Sequence, residues 1–246
     1  MVQLEADERV DYLFNSPMKI IQSDDIFSFS LDAVLLSKFV YVPIKRGHIL
    51  DLCTGNGAIA LLLTERTNAQ ITGIEIQERL QSMAERSIKM NQLEHQVNSI
   101  HADVNDAVKQ LIPHSYDIVT CNPPYFPYKA DSDRNTKRHL ELARHEVAVT
   151  LEEIVSISSQ LVKGKGKVAF VHRPERLLDI MSVMRREGIE PKRLQFIYPK
   201  QGKQANIMLI EGIKDGNPGL NLLPPLFVYN EQGQYTKELL NYRYEK

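Results

Sequence analysis

The sequence of 246 residues is poor in cysteine, with only Cys53 and Cys121, which stand 68 positions apart. Two isolated thiols are typical of a reducing cytoplasm, and they are too few for a zinc site unless histidines join them. His139 and His145 lie six positions apart, but no acidic residue stands at a matching ligand spacing. We therefore expect no bound metal ion.

Signals for membrane insertion and secretion are also lacking. No apolar run approaches the roughly 20 residues that span a bilayer. The first residues, MVQLEADERVDYLF, are acidic and lack the basic and then apolar order of a signal peptide. We expect a cytoplasmic protein without a membrane partner.

Neither sign of charge is in excess, because 30 Lys and Arg residues stand against 31 Asp and Glu residues. This balance excludes a strongly basic nucleic-acid-binding protein. The charges are unevenly distributed, however. Residues 1–125 hold 10 cations and 16 anions, whereas residues 126–246 hold 20 cations and 15 anions. Such asymmetry favours two partners of opposite charge.

What the sequence does contain is a regular alternation of short apolar runs with amphipathic segments. Apolar strands that alternate with helices predict an α/β fold with a doubly wound, mostly parallel, seven-stranded sheet. The last two apolar runs have no helix between them, so they predict an antiparallel hairpin at one end of the sheet. The expected strands are 48–53, 70–76, 97–103, 116–121, 167–172, 193–199 and 205–213.

The chain is expected to form one domain over residues 1–246. Its composition, with 43% hydrophobic and 25% charged residues, is ordinary for a globular domain. Residues 1–46 are expected to cover the ligand-binding edge of the sheet. Residues 47–213 would form the catalytic core, and residues 214–246 a C-terminal extension.

A glycine-rich turn follows the first of these strands. Thr54, Gly55 and Gly57 belong to the sequence TGNG, and glycines at this place allow a sharp turn and the close approach of a ligand. The same letters match the dinucleotide-binding pattern, with Glu75 standing 20 residues beyond Gly55. The turn alone therefore leaves a nicotinamide cofactor open beside other nucleoside ligands.

Carboxylates end three successive strands, at Asp51, Glu75 and Asp103. Because the carboxyl ends of the strands in a doubly wound sheet line one crevice, we expect all three to face the same ligand. Asp51 would repel a pyrophosphate but suits the ammonium group of S-adenosylmethionine. Glu75 suits the ribose hydroxyls and Asp103 the adenine amine. Ile76 and Val104 would supply apolar walls for the adenine ring.

The fourth strand runs into Asn122, Pro123, Pro124 and Tyr125, which we expect to be the catalytic residues. Two prolines fix the backbone and remove two N–H donors. The Asn122 side-chain oxygen and the Pro123 carbonyl could then accept both hydrogens of a planar amine and expose its nitrogen to a methyl group. Tyr125 offers a ring that stacks on a flat base.

The stretches DLCTGNGAIAL, GIEI, HADV and CNPPY resemble class I S-adenosylmethionine-dependent methyltransferases of the branch that methylates exocyclic or amide nitrogens. The resemblance covers about residues 25–212, and it implies a Rossmann-like fold with S-adenosylmethionine as cofactor. Cys53 stands where these enzymes often have glycine. The expected cofactor-binding residues are Asp51, Thr54, Gly55, Gly57, Glu75, Ile76, Asp103, Val104 and Asn122.

The stretches DERVDYLF, MKIIQSDDIFSFSLDAVLLSKF and ARHEVAVTLEEIV further resemble the bacterial tRNA(Val) adenine-N6 methyltransferases. This resemblance implies that the substrate is the adenine next to the anticodon of a tRNA. N5 methylation of a protein glutamine and N2 methylation of an RNA guanine are the alternatives, because the same motif would hold their amines. An oxidoreductase and a catalytically silent RNA-binding module are less consistent with Asp51 and the Asn-Pro-Pro-Tyr motif.

Basic side chains follow this motif in two groups. A segment of about 20 residues after Tyr125 suits an RNA backbone, although a solvated loop of mixed charge is an equal alternative. Its cations are Lys129, Arg134, Lys137, Arg138 and Arg144. Some of the later cations are expected to contact phosphates and others to be exposed helix ends; they are Lys163, Lys165, Lys167, Arg173, Arg185, Arg186, Lys192, Arg193, Lys200 and Lys203.

Overall fold

The computed structural model describes residues 2–23, 31–123 and 149–242. The described chain begins with an antiparallel hairpin of strands β1 (Glu8–Tyr12) and β2 (Lys19–Ser23), followed by helix α1 (Leu31–Phe39). The main sheet contains β3 (His48–Leu52), β4 (Gln70–Glu75), β5 (Val97–His101), β6 (Tyr116–Cys121), β7 (Val162–His172), β8 (Ile189–Tyr198), β9 (Ile207–Lys214), β10 (Asn221–Leu222) and β11 (Leu226–Phe227).

Helices connect successive strands of the main sheet, and one further helix follows β11. The connecting helices are α2 (Ala58–Thr64), α3 (Glu78–Met90), α4 (Val104–Ala107), α5 (Leu151–Leu161) and α6 (Leu177–Arg186), and the helix after β11 is α7 (Lys237–Leu240). A short 3₁₀ turn at Pro174–Arg176 precedes α6.

The sheet is mostly parallel, in the order β8-β9-β7-β6-β3-β4-β5, with β10 and β11 pairing parallel to β8 at its outer side. Strand β9 runs antiparallel to both β7 and β8, between which it lies. The α/β class, the mostly parallel sheet and the antiparallel hairpin are thus confirmed. The described part of the sheet has nine strands where seven were expected, because β10 and β11 have two residues each and leave no apolar pattern.

Hydrophobic side chains cover both faces of the sheet, as a parallel sheet requires. In β3, Ile49 belongs to the cluster on the side of α1 and α2, whereas Leu50 belongs to the cluster on the side of α5 and α6. Both side chains are fully buried. Burial of each such side chain contributes about 1.5–3 kcal/mol, so the two clusters hold the strand ends in place.

The parallel strands β3 to β8 end at one edge of the sheet, which we call the carboxyl edge. Leu52 pairs with Ile74 on one side and with Cys121 on the other. Cys53, Glu75 and Asn122, each one residue further along, therefore lie at one level on three adjacent strands. At about 4.8 Å between strands, the backbones at Glu75 and Asn122 stand about 10 Å apart.

The N-terminal hairpin packs against α3 and the glycine-rich turn. The Ile21 N–H donates to Ser87 Oγ at 2.9 Å, and Asn56 Nδ2 donates to the Ile21 carbonyl at 3.0 Å. The Arg86 guanidinium donates to both carboxylate oxygens of Glu8, at 2.5 and 2.6 Å. The division of the chain into cover, core and extension stays a prediction.

Candidate active site

Asp51 is completely buried one residue before the end of β3. Its Oδ2 accepts a hydrogen bond from Thr54 Oγ1 at 2.5 Å, and its Oδ1 accepts one from Thr120 Oγ1 at 2.7 Å. Burial raises the pKa of Asp51 to about 7, the two hydroxyls oppose this shift, and the nearby Glu75 carboxylate adds to it. Asp51 therefore links the glycine-rich turn to β6 through hydrogen bonds. Its carboxyl group titrates near neutral pH.

The glycine-rich turn is shaped by backbone conformations that side chains rarely adopt. Cys53 has φ +55° and Gly55 has φ +59°, both in the left-handed region that favours glycine. A Cβ built on Gly55 would meet no atom within 4 Å, so this residue faces open space. The turn therefore presents its backbone to a ligand at the carboxyl edge.

Strand β4 makes room for the side chain of Thr54. A Cβ on Gly73 would stand 2.8 Å from Thr54 Cγ2 and 2.9 Å from Thr54 Oγ1, closer than real Cβ contacts allow. The Thr54 N–H also donates to the Ile74 carbonyl at 2.9 Å. The glycine in β4 thus lets the turn after β3 pack directly on its neighbouring strand.

Glu75 ends β4 and is fixed by two backbone donors. Its Oε2 accepts from the Gly55 N–H at 2.8 Å and its Oε1 from the Gln77 N–H at 3.0 Å. A carboxylate oxygen has two lone pairs and can accept more than one hydrogen bond. Glu75 is thereby oriented beside the open face of Gly55, where two hydroxyls could donate to it.

Asp103 follows β5 and begins helix α4. Its Oδ1 accepts from the Asn105 N–H at 2.8 Å. Among the residues described, its second carboxylate oxygen has no hydrogen-bond donor. Val104 is buried and Ile76 half-buried beside this site. The arrangement leaves one acceptor and two apolar side chains at the ends of β4 and β5, which fit a flat ring with an amino group.

Asn122 and Pro123 directly follow β6, Asn122 being half-buried and Pro123 buried. From the pairing of Cys121 with Phe170, Pro123 lies at the level of His172 on β7. Pro124 and Tyr125 lie outside the described residues. The proposed basic residues Lys129, Arg134, Lys137, Arg138 and Arg144 also lie outside them, so their placement stays a prediction.

The end of β7 brings two residues to this edge: Arg173, one of the later cations named from the sequence, and His172, which the sequence patterns did not single out. His172 Nδ1 accepts from the Arg173 N–H at 2.8 Å, and Arg173 donates to the Asn206 carbonyl at 2.8 Å. Burial, followed by the charge of Arg176, lowers the pKa of His172 to about 4. The imidazole is therefore neutral at physiological pH. The position of His172 at the end of an apolar strand is the sequence feature that could have identified it.

The two cysteines of the chain also meet here. Cys121 is buried at the end of β6, and its thiol hydrogen-bonds with that of Cys53 at the end of β3. Burial first, and this hydrogen bond next, raise the pKa of the Cys121 thiol. The Cys121 side chain therefore remains a neutral thiol at the end of β6.

The described residues contain no group of three or more His, Cys, Asp or Glu side chains that could hold a metal ion. None of the helices in residues 2–23, 31–123 and 149–242 is long and apolar enough to cross a membrane.

The carboxyl edge thus combines two kinds of chemistry. Glu75, Asp103 and the open face of Gly55 fit an adenosine group, since they offer hydroxyl and amine acceptors beside apolar side chains. The backbone of Asn122 lies about 10 Å from that of Glu75. The site could therefore hold a nucleoside at β3 to β5 and a second, amine-bearing molecule at β6.

Comparisons with known proteins agree with this arrangement. A family model described as the methyltransferase small domain matches residues 18–175. A Porphyromonas gingivalis protein named tRNA1(Val) (adenine(37)-N6)-methyltransferase is 30% identical, over 78% of this chain and 76% of its own length. An Actinobacillus succinogenes protein of the same name is 28% identical over 85% of each chain.

A solved structure supports the fold. A protein described as a predicted O-methyltransferase from Agrobacterium tumefaciens superposes with a TM-score of 0.68 at 21% identity. The match covers 87% of this chain and 98% of that one. The α/β arrangement of the main sheet is therefore that of known methyltransferases.

Proposed function

Because the chain belongs to the methyltransferase small domain family and is an S-adenosylmethionine-dependent methyltransferase, we propose that it methylates N6 of an adenine in tRNA, next to the anticodon. One observation carries the proposal. Asn122 and Pro123 stand at the end of β6, beside the carboxylates that end β3 and β4. The names of the relatives from P. gingivalis and A. succinogenes support the choice of substrate.

The ends of β3, β4 and β5 would hold the methyl donor. Bound S-adenosylmethionine supplies a methyl group on a cationic sulfur. Glu75 would accept hydrogen bonds from the ribose hydroxyls, since both of its oxygens are already oriented by backbone N–H groups. Asp103 would accept from the adenine amine through its second oxygen. In its ionised form Asp51 would favour the ammonium group, and its bonds to Thr54 and Thr120 keep the turn in place.

Asn122 and Pro123 would hold the acceptor amine. The Asn122 side-chain oxygen and the Pro123 carbonyl accept one hydrogen each. The amine nitrogen of adenine is conjugated with its ring, and two acceptors outside the ring plane draw it toward a tetrahedral shape. Its lone pair then becomes available for the methyl group. Such alignment of two reactants is worth about 7–11 kcal/mol of the barrier.

The methylated amine must lose a proton after the transfer, and this step requires little from the protein. Once the amine nitrogen has gained a methyl group, it is a cation and loses its proton readily to water. The neutral imidazole of His172, at the level of Pro123, adds no positive charge beside this nitrogen. The residues of this edge therefore act mainly by alignment and by their charges.

The N5 amide of a protein glutamine and the N2 amine of an RNA guanine are planar amines that the same two acceptors would bind. They can be separated from adenine by incubating the protein with methyl-labelled S-adenosylmethionine and either total tRNA or a protein extract. We expect label in tRNA, recovered as N6-methyladenosine after digestion to nucleosides. Label in protein, or in N2-methylguanosine, would overturn the proposal. An enzyme with this substrate would work in the cytoplasm.

A further inference from the structure

We propose that the tRNA has a second binding site, apart from the one for its target base at Asn122. This site is a basic and aromatic groove at the end of β8, which binds the phosphate backbone. This inference rests on the proposed function, since it names the surface that holds the same substrate. The groove has a volume of about 800 Å³ and lies between the β8–β9 turn and the C-terminal extension. Lys200, Lys203, Gln204, Tyr229 and Asn230 line it, together with the single acid Glu231.

The groove lies at the same edge of the sheet as Asn122. Strand β9 is antiparallel to β7 and to β8, so β8 ends where β6 and β7 end. Cys121 is level with Phe170 of β7 and Leu194 of β8, and Lys200 follows Leu194 by six residues. Allowing about 4.8 Å between strands and 3.3 Å per residue, the groove begins about 20–25 Å from Asn122.

That distance suits a substrate much larger than one nucleotide. At 3.4 Å per stacked nucleotide, it corresponds to about six or seven nucleotides of one strand. Arg173, at the end of β7, is exposed between the two places and is tied to the start of β9 through the Asn206 carbonyl. A strand whose target base lies at Asn122 would therefore pass Arg173 before it reaches the groove.

The cations of the groove differ from several other cations in this half of the chain, which form ion pairs. Lys200 and Lys203 are exposed, and among the described residues neither ammonium group has an ion-pair partner. Elsewhere in this half of the chain, Lys163 pairs with Asp117 at 2.7 Å, and Arg193 pairs with Glu211 at 3.3 Å. Two exposed ammonium groups without carboxylate partners are suited to phosphates.

An aromatic pair adjoins the groove through Tyr229, one of its lining residues. Tyr229 and Tyr235 stack with ring centroids 5.3 Å apart and an angle of 15° between their planes. Both remain about 40% exposed. The Tyr229 N–H donates to the Pro199 carbonyl at 2.8 Å, which fixes the aromatic pair to the end of β8. Exposed aromatic faces beside lysines are the usual features of surfaces that bind single strands.

The test compares two double variants that each remove two exposed cations. K200A/K203A removes those of the groove, and R185A/R186A removes those at the end of α6, which lies at the opposite edge. Binding of unfractionated tRNA to the full chain is measured by fluorescence anisotropy at 50 and 200 mM salt. We expect K200A/K203A to weaken binding at least 5-fold at 50 mM salt and to lower the salt slope by about 1–2. R185A/R186A should stay within 2-fold of the wild-type affinity.

Stacking provides an independent measurement. Tyr229→Ala should weaken tRNA binding 5-fold or more and leave the salt slope unchanged, because a tyrosine releases no counterions. Affinity for S-adenosylmethionine should be the same in all of these variants, since the groove lies away from Glu75 and Asp103. Equal tRNA affinity in K200A/K203A, Tyr229→Ala and wild type would overturn the groove as a binding surface.

Measurements of methyl transfer distinguish an error about the groove from an error about the proposed function. We expect K200A/K203A to raise the KM for tRNA at least 5-fold with little change in kcat. If wild type labels tRNA and K200A/K203A labels it with the wild-type KM, the groove is wrong and the proposed function stands. If wild type neither binds nor labels tRNA, both proposals fall.

Discussion

At the scale of single residues, the site depends on carboxylates whose surroundings differ. Asp51 has no exposed surface and bonds to two threonine hydroxyls, Glu75 is held by two backbone N–H groups, and Asp103 keeps an oxygen without a described donor. Their positions could be predicted from the sequence, because each ends an apolar run. The partners of Asp51 could not, since Thr120 stands 69 residues away on another strand.

The raised pKa of Asp51 makes stability depend on pH. Its pKa is about 7 in the folded protein and near 3.8 when unfolded. Between these values the folded state binds a proton that the unfolded state does not. The free energy of unfolding therefore falls as pH rises from about 4 to about 7, by roughly 4 kcal/mol at most.

Asp51→Asn removes this titration while it keeps the size of the side chain. Its stability relative to wild type should therefore rise between pH 5 and pH 7 and stay constant above pH 8. Urea unfolding of both proteins at several pH values measures the difference. Parallel pH profiles would show that Asp51 is ionised throughout.

Asp103→Asn tests the acceptor for the adenine amine. Asparagine begins helices as well as aspartate does, so the bond to the Asn105 N–H and the thermal midpoint should be kept. The amide nitrogen of the asparagine would then place an N–H donor at the position where a carboxylate oxygen of Asp103 accepts from the adenine amine. We expect affinity for S-adenosylmethionine in calorimetry to fall about 10-fold. An unchanged affinity at an unchanged midpoint would remove Asp103 from the site.

At the scale of elements, the turn after β3 is shaped by its neighbouring strand. The glycine-rich turn and the strands β3 to β8 could be predicted from the alternation of apolar runs and glycines. The contact of Gly73 with Thr54 could not, because a glycine within a strand gives no sign of what approaches it. The same holds for β10 and β11, whose two residues each depend on pairing with β8.

Gly73→Ala would force Thr54 away from its place in the turn. A methyl group in this space should lower the free energy of unfolding by about 1–3 kcal/mol and weaken the binding of S-adenosylmethionine. Gly164→Ala in β7 is a matched control, because a Cβ there would have its nearest neighbour at 3.6 Å. Chemical unfolding and calorimetry compare the variants. Equal stability and affinity would mean that Thr54 moves aside without cost.

At the scale of the whole molecule, one edge of one sheet carries side chains of opposite charge. The ends of β3 to β5 carry Asp51, Glu75 and Asp103, whereas the ends of β7 and β8 bring Arg173 and Lys200. The uneven distribution of charge along the chain indicated two such partners. Only the strand order shows which cations share the edge with Asn122, since β9 lies between β7 and β8 against the order of the sequence.

Asn122→Ala tests the division of this edge into donor and acceptor halves most directly, when methyl transfer to tRNA and the Kd for S-adenosylmethionine are measured on the same preparation. Asn98→Ala, at an exposed position of β5, is the control. We predict that Asn122→Ala lowers kcat by about 10²–10³-fold, as expected when a fixed hydrogen-bonding partner of the reacting group is removed. Asn122 was also expected among the cofactor-binding residues, but a role limited to the acceptor amine predicts a Kd for S-adenosylmethionine that matches that of the control. Loss of donor binding in parallel with activity, or activity equal to the control, would contradict the division.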